Sequence, residues 1–200
     1  QAGMGWDERN NLWCFPDTFV ALSTKAKKWA EKVNTLVKNI YIPNGVDILK
    51  FTPDGSSFKL NLPKPIFLCV GALTKSKRID LAINAVSKLE KGSLLVVGDG
   101  NLRREIQSLG KKLLNNRFQL IKVSYADMPE VYRTADVFTL PSESHQAFEV
   151  VLVEAMATGL PVVANADVIR KEIVGDAGIL VNPTNTEEYA GALEKALEKD

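Results

Sequence analysis

Short apolar runs with no polar alternation, separated by helix-spaced segments, constrain this chain more than any other feature. Ile66-Phe67-Leu68-Cys69-Val70 is apolar throughout and stops at Gly71. A strand with one wet face alternates apolar and polar residues, so an unbroken apolar run predicts a strand buried on both faces. Leu94–Val97, Val162–Ala164 and Ile179–Val181 repeat the pattern, and Phe118–Val123 and Val137–Leu140 read as further strands with polar residues within them. Helical spacing fills the gaps. Asp80 stands as a capping residue before Leu81-Ala82-Ile83 and Ala85-Val86, and further helices are predicted over Asn101–Leu114, Met128–Thr134 and near Val168–Ile173. Val150–Thr158 reads as a helix stopped by Gly159 and Pro161, and Thr186 opens a last helix with Glu187 and Glu188 in its first turn. Strand–helix alternation of this kind predicts an open parallel α/β sheet from Pro65 to the end.

The segment before Pro65 is different. It predicts a strand at Phe19–Leu22, a Lys-rich helix over Thr24–Lys38 with a solvated face, and a second strand at Asn39–Ile42. Pro43-Asn44-Gly45 is a turn signal, followed by a linker through Pro53-Asp54-Gly55-Ser56-Ser57. The chain opens Gln1-Ala2-Gly3 with no basic and apolar regions of a signal peptide, and it reads as a piece of something longer.

Charge and composition narrow the function. Lys and Arg number 25 against 24 Asp and Glu, a net charge of +1 in 200 residues. This balance argues against a nucleic-acid or membrane-surface binder held by bulk charge. No apolar run approaches the ~20 residues of a membrane span. Cys14 and Cys69 are too few for a disulfide framework and lack metal-ligand spacing, which points to a reducing, cytoplasmic compartment. His145 is the only histidine, which excludes a zinc site needing two and makes no metal centre expected.

Open α/β sheets bind ligands at the carboxyl ends of their strands, here after Val70, Val97, Val123 and Leu140. Gly98-x-Gly100 follows a strand and opens a helix, but Arg103 occupies the place of the third glycine of a dinucleotide fingerprint. A nicotinamide site is therefore rejected and a tight turn retained. Lys75, Lys77 and Arg78 follow the first of these strands; they make either a solvated basic loop or a clamp for a diphosphate. The loop Pro141–Ala147 leads into a helix N-terminus, a ready anion site. Glu154 lies inside that helix between Val153 and Ala155, so its carboxylate needs a partner: a hydrogen bond, an ion pair or a ligand hydroxyl.

At these residues a resemblance emerges. Ile42-Pro43-Asn44-Gly45-Val46-Asp47 with Phe51 and Pro53, then Gly71-x-Leu73 with Lys77, then Val97-Gly98-Asp99-Gly100, occur in order. Ala135-Asp136 before Pro141-Ser142, and Glu154-Ala155-Met156-Ala157-x-Gly159-x-Pro161-Val162-Val163, complete the series. Together they resemble the retaining glycosyltransferases of the GT-B fold, family 4 or "group 1", from about Phe19 onward. The resemblance implies two Rossmann-like domains, one holding a nucleotide-diphosphate sugar and the other the acceptor. Residues 1–43 then look like the last strand–helix–strand of the N-terminal acceptor domain, residues 44–64 like the interdomain linker, and residues 65–200 like the C-terminal donor-binding domain. The rest of the acceptor domain is expected outside this chain. The family resembles metal-independent enzymes that use basic side chains and a helix N-terminus to stabilise the departing diphosphate. No cofactor is expected beyond the sugar nucleotide itself.

Residue by residue, the resemblance gives Glu154 the ribose hydroxyls, as the second glutamate of the family's E-x7-E motif. The first glutamate falls at Gln146, which normally contacts the transferred sugar; Gln keeps the length and loses the charge. Phe148 matches, but the following glycine, which lets backbone N–H groups approach the phosphates, is Glu149 here, followed by Val150. Lys77 matches the phosphate-binding lysine. The arginine usual after Gly71 is Ala72, with Lys75 or Arg78 as replacements from the same loop. The glycine usual after the third strand is Lys122. The base is expected against the backbone of Val123–Tyr125, partly covered by Met128. Lys77, Gln146 and Glu154 are thus the expected catalytic set. His145, beside Gln146, reads as a loop residue.

Two functions follow. One is a glycosyltransferase with an unusual donor site, in which Lys75 and Lys122 offset Ala72 and Glu149. The other is a degenerate member that binds a sugar nucleotide weakly or serves as a partner subunit. A phosphorylase or epimerase of the same architecture is the remaining class, though no pyridoxal-lysine motif is present. Family members often act on lipid-linked acceptors, so membrane association of the full-length protein stays open, although Thr24–Lys38 has no apolar face rich enough to argue for it.

Overall fold

The computed structural model describes residues 6–143 and 148–198. Contacts divide the chain into two units, Gln1–Gly45 with His145–Val150, and Val46–Ser144 with Val151–Asp200.

In the first unit, α1 (Trp6–Trp13) precedes β1 (Thr18–Ala21), α2 (Thr24–Val33) and β2 (Lys38–Tyr41). The two strands pair in parallel, Thr18 opposite Lys38 through Ala21 opposite Tyr41. Ser23 starts α2 by accepting a hydrogen bond from the Ala26 N–H. The sequence predicts this helix as far as Lys38, but Asn34 stops it. The Asn34 backbone is extended, and its side chain donates to the Leu12 carbonyl at 2.8 Å and accepts from the Leu36 N–H at 3.0 Å. A local side-chain bond has replaced the helical one. Ala26 and Ala30 face inward, whereas Lys25, Lys28 and Lys32 are exposed, the solvated face expected. No apolar periodicity marks α1, a mostly polar helix held by buried Leu12 against Ala30 and Val37.

The second unit contains β3 (Ile66–Val70), α3 (Ile79–Ser87), β4 (Ser93–Val97), α4 (Arg103–Leu114), β5 (Phe118–Ile121), α5 (Met128–Thr134), β6 (Val137–Leu140), α6 (Val150–Ala157), β7 (Val162–Asn165), α7 (Val168–Val174), β8 (Gly178–Val181) and α8 (Thr186–Leu197). The six strands form one parallel sheet in the order β5-β4-β3-β6-β7-β8. The open parallel α/β sheet is as the sequence predicts. Alternate residues of one strand feed two cores. Phe67 and Cys69 of β3 pack with Ile83, Val86 and Leu193, while Ile66, Leu68 and Val70 pack with Tyr132, Leu152 and Ala155. Every β3 and β4 residue is buried for that reason. Each Val, Leu, Ile or Phe side chain among them contributes roughly 1.5–3 kcal/mol on burial.

Three boundaries differ from expectation. The third strand ends at Ile121 rather than Val123, so Lys122 and Val123 lie beyond the sheet. Arg78, in a left-handed conformation, precedes α3, and Asp80 falls in its first turn without capping it. The α4 helix starts at Arg103, two residues after Asn101.

Residues 46–64 are laid on the sheet's second face. Phe51 is buried, and Val46, Phe58, Leu60 and Leu62 pack around the same core. The Phe58 N–H donates to the Glu130 carbonyl, Thr134 donates back to the Phe58 carbonyl, and Arg133 holds the carbonyls of Thr52 and Ser56.

Candidate functional site

Chain order runs from β3 outward through β4 to β5, then returns past β3 to β6 and on to β8. The direction reverses between β3 and β6, and in such sheets the crevice opens at that reversal, beyond the carboxyl ends. The loops after β3, β4, β5 and β6 line it.

Close approach of the first two loops depends on glycine. A Cβ on Gly98 would lie 1.9 Å from the Gly71 carbonyl oxygen, and one on Gly100 would lie 2.6 Å from the Leu73 carbonyl oxygen. The Leu73 N–H donates to the Asp99 carbonyl at 2.9 Å and the Leu102 N–H to the Leu73 carbonyl at 3.0 Å. Gly98-x-Gly100 is therefore a packing turn. Beside it the stem of Lys77 passes Gly71, with Cδ 3.7 Å from where a Cβ on that glycine would stand. Ala72 and Lys75 are exposed on the same loop, and Lys77 is half-buried.

Arg78, considered for a phosphate contact, bridges two loops. Its Nε donates to the Pro141 carbonyl at 2.7 Å and its Nη2 to the Ser142 carbonyl at 3.0 Å, and the Glu143 N–H donates to the Ser76 carbonyl. The loops after β3 and β6 are thereby tied together. Beneath the second loop lies Arg170, fully buried, donating to Asp167 Oδ2 at 2.9 Å and to Ser142 Oγ at 2.5 Å. Nothing in the sequence distinguished Arg170 from a surface helix residue.

Lys122 is exposed, and its Nζ lies 2.8 Å from Asp99 Oδ2. This bond, together with the Gly100 N–H, holds the Asp99 carboxyl below the usual range. The Lys122 charge is thus shared with a carboxylate. Val123 is half-buried. Met128 is buried in the core, and Tyr125, three residues earlier, is exposed.

Glu154 on α6 is buried, and its partner is not the cation that an ion pair would supply. Tyr132 donates to Oε2 at 2.7 Å and Tyr125 donates to Oε1 at 3.2 Å. Burial, then the Glu154 charge, pushes both phenol pKa values up, so both remain donors at neutral pH. Each carboxylate oxygen thus accepts from one phenol. Neither tyrosine was singled out as a partner in the sequence; the signal available was Tyr132 on an apolar helix face, which reads as core.

Phe148, Glu149 and Val150 belong to the first unit; Phe148 and Val150 are half-buried and Glu149 is buried. The expected residues Gln146 and His145 lie outside the described residues. Among the described residues no group of three potential metal ligands occurs, and no helix is long and apolar enough to cross a membrane.

A Rossmann-like parallel sheet with helices on both faces is the fold of one half of the GT-B glycosyltransferases. The chain belongs to the glycosyl transferases group 1, whose family model matches residues 64–199. It is similar to an exopolysaccharide phosphotransferase of Streptomyces coelicolor, 30% identical over 90% of this chain and 20% of that protein. A GDP-mannose-dependent phosphatidylinositol monomannoside mannosyltransferase of Corynebacterium glutamicum is 27% identical over 79% of this chain and 46% of its own length. Among solved structures, sucrose-phosphate synthase from Thermosynechococcus elongatus aligns with a TM-score of 0.81 at 25% identity, covering 95% of this chain and 51% of that one. Anabaena HepE, crystallised with UDP and glucose, aligns with a TM-score of 0.81 at 20% identity, covering 99% and 60%. The chain thus spans only part of the length of its curated relatives.

Proposed function

We propose that this chain supplies the donor-binding half of a retaining glycosyltransferase that takes a sugar from a nucleotide-diphosphate sugar. The observation that carries the reading is Glu154, a buried carboxylate with no cation among its two hydrogen-bond partners, which are hydroxyls, one of them on an exposed tyrosine. That is chemistry suited to ribose hydroxyls. Lys77 beside Gly71 is assigned to the diphosphate, whose charge grows as the sugar departs; a fixed cation there stabilises the transition state without a metal. Gln146 is assigned to the transferred sugar, and the backbone of Val123–Tyr125 to the base. HepE, a fold neighbour crystallised with UDP and glucose, supports a sugar nucleotide as ligand. The acceptor belongs to the part of the enzyme beyond this chain, so the chain alone is expected to transfer no sugar. The corynebacterial relative is named for a lipid, a phosphatidylinositol monomannoside, which supports an enzyme that works at a membrane.

The departures at Ala72 and Glu149 favour a second reading, a degenerate member that binds the sugar nucleotide weakly. A carboxylate at position 149 repels a diphosphate where the family has glycine.

Calorimetric titration with UDP, GDP, ADP and dTDP, each with and without sugar, tests both. Saturable binding of one nucleotide, lost in Glu154→Ala and Lys77→Ala, is the expected result; no binding by any would sink the first reading. Gln146→Glu separates the two. Tighter donor binding would mark a degenerate site, and weaker binding an adapted one.

A further inference from the structure

The two phenols on Glu154 are not equivalent. Tyr132 is completely buried, with its ring centroid 5.8 Å from both Phe51 and Phe138. Its one hydroxyl proton goes to Glu154 Oε2 at 2.7 Å, the Val151 carbonyl lying farther away at 3.4 Å. This donor has no room to leave. Tyr125 is 65% exposed, lies in a short turn after β5 and, among the described residues, meets one ring, that of Phe51. Its bond to Oε1 is longer, 3.2 Å. This donor can swing into solvent.

We propose that Tyr132 is a positioning residue that fixes the Glu154 carboxylate for a ribose, and that the Tyr125 hydroxyl holds the ribose-hydroxyl position in the free chain and is exchanged for it on binding. The inference rests on the donor-site reading above. Buried acceptors need partners, and Tyr125 satisfies Oε1 when no nucleotide is there. A ribose hydroxyl replaces the phenol bond for bond, so the exchange costs little. A deoxyribose displaces the phenol and returns nothing, leaving a buried carboxylate oxygen unpaired. With Tyr132 preventing the carboxylate from turning away, Glu154 becomes a discriminator between ribose and deoxyribose.

The test is titration of the chain with UDP and GDP, each beside its 2′-deoxy and 3′-deoxy forms, on five proteins: wild type, Tyr132→Phe, Tyr125→Phe, Glu154→Ala and the Tyr132→Phe/Glu154→Ala pair. Wild type should prefer the ribonucleotide by about tenfold or more. Tyr132→Phe should weaken ribonucleotide binding about tenfold, leave deoxynucleotide binding nearly unchanged, and so erase the preference. In the Glu154→Ala background, Tyr132→Phe should change nothing, because its effect passes through that carboxylate. Tyr125→Phe should tighten ribonucleotide binding about threefold, having removed a competitor. Equal losses for both sugars in Tyr132→Phe, or an effect that persists without Glu154, would mean a purely structural tyrosine and overturn the inference. Loss of the preference in Tyr125→Phe would overturn the exchange. Should Tyr132→Phe not fold, the exposed Tyr125→Phe and the wild-type preference still decide. A wild type that binds nucleotide without preference overturns this inference alone; one that binds none overturns the donor-site reading as well.

Discussion

Gly98 faces the carbonyl of Gly71 so closely that a Cβ on Gly98 would stand 1.9 Å from that oxygen. The obstacle is backbone, and the two loops also share the Gly71 N–H bond to Val97. Gly98→Ala is expected to cost about 3 kcal/mol, the upper range for overpacking. At this chain length that lowers Tm by roughly 6–12 °C. Gly71→Ala is the control, since its Cβ would meet only the Lys77 stem at 3.7 Å, an ordinary contact. Similar melting temperatures for the two variants would refute the packing argument.

Arg78 combines a left-handed backbone, φ 49°, with two bonds from its side chain to the Pro141 and Ser142 carbonyls. Arg78→Ala loses the bonds and keeps the strain. Arg78→Gly loses the bonds and relieves about 1 kcal/mol of strain. Denaturant unfolding should therefore rank wild type above Gly above Ala. An alanine variant as stable as the glycine one would remove strain from the account.

Tyr132 and Tyr189 have phenol pKa values raised, first of all by burial. Above the ordinary phenol pKa of about 10, the unfolded chain loses those protons and the folded chain keeps them. The folded state then binds more protons, so stability falls as pH rises, by about 1.4 kcal/mol per pH unit for each phenol. Below that range the contribution is fully present. Thermal melts at rising alkaline pH should show a steepening loss that shrinks in Tyr132→Phe; an unchanged slope would contradict it.

Asp99 is held below its ordinary pKa chiefly by the hydrogen bond from Lys122. A depressed carboxyl stabilises the fold above its unfolded pKa, and that support is lost as pH falls through the folded value. Lys122→Met should move the Asp99 titration upward, as followed by the carboxyl carbon resonance. An Asp99 curve indifferent to the change would show that the pair does not form.

The scaffold was legible because its signals are repeated. Strands such as Ile66–Val70 and Leu94–Val97 announce themselves as apolar runs, since both their faces are covered. The helix predicted through Lys38 failed for a local reason: Asn34 can bond the backbone on its own, which periodicity does not register. The site was legible only in part. Glu154 stood out as a charge among apolar neighbours, and its need for a partner followed. That the partners are Tyr125 and Tyr132 did not, because the pairing is made by folding α5 and the turn before it against α6 and not by any spacing along the chain. For the same reason Arg78 read as one of three loop cations, although the Pro141 and Ser142 carbonyls across the crevice claim it.

The reversal of strand order between β3 and β6 also has a meaning in time. Pairs β3–β4 and β4–β5 join strands that are neighbours in sequence, as do β6–β7 and β7–β8. Only the β3–β6 seam must close a long stretch of chain, and the entropy of that closure delays it. The crevice opens along this seam. A folding chain is therefore expected to acquire its two three-stranded halves first and its ability to bind a ligand last, an order that pulsed hydrogen exchange reads as late protection of Phe67 and Leu68 against Val137 and Phe138.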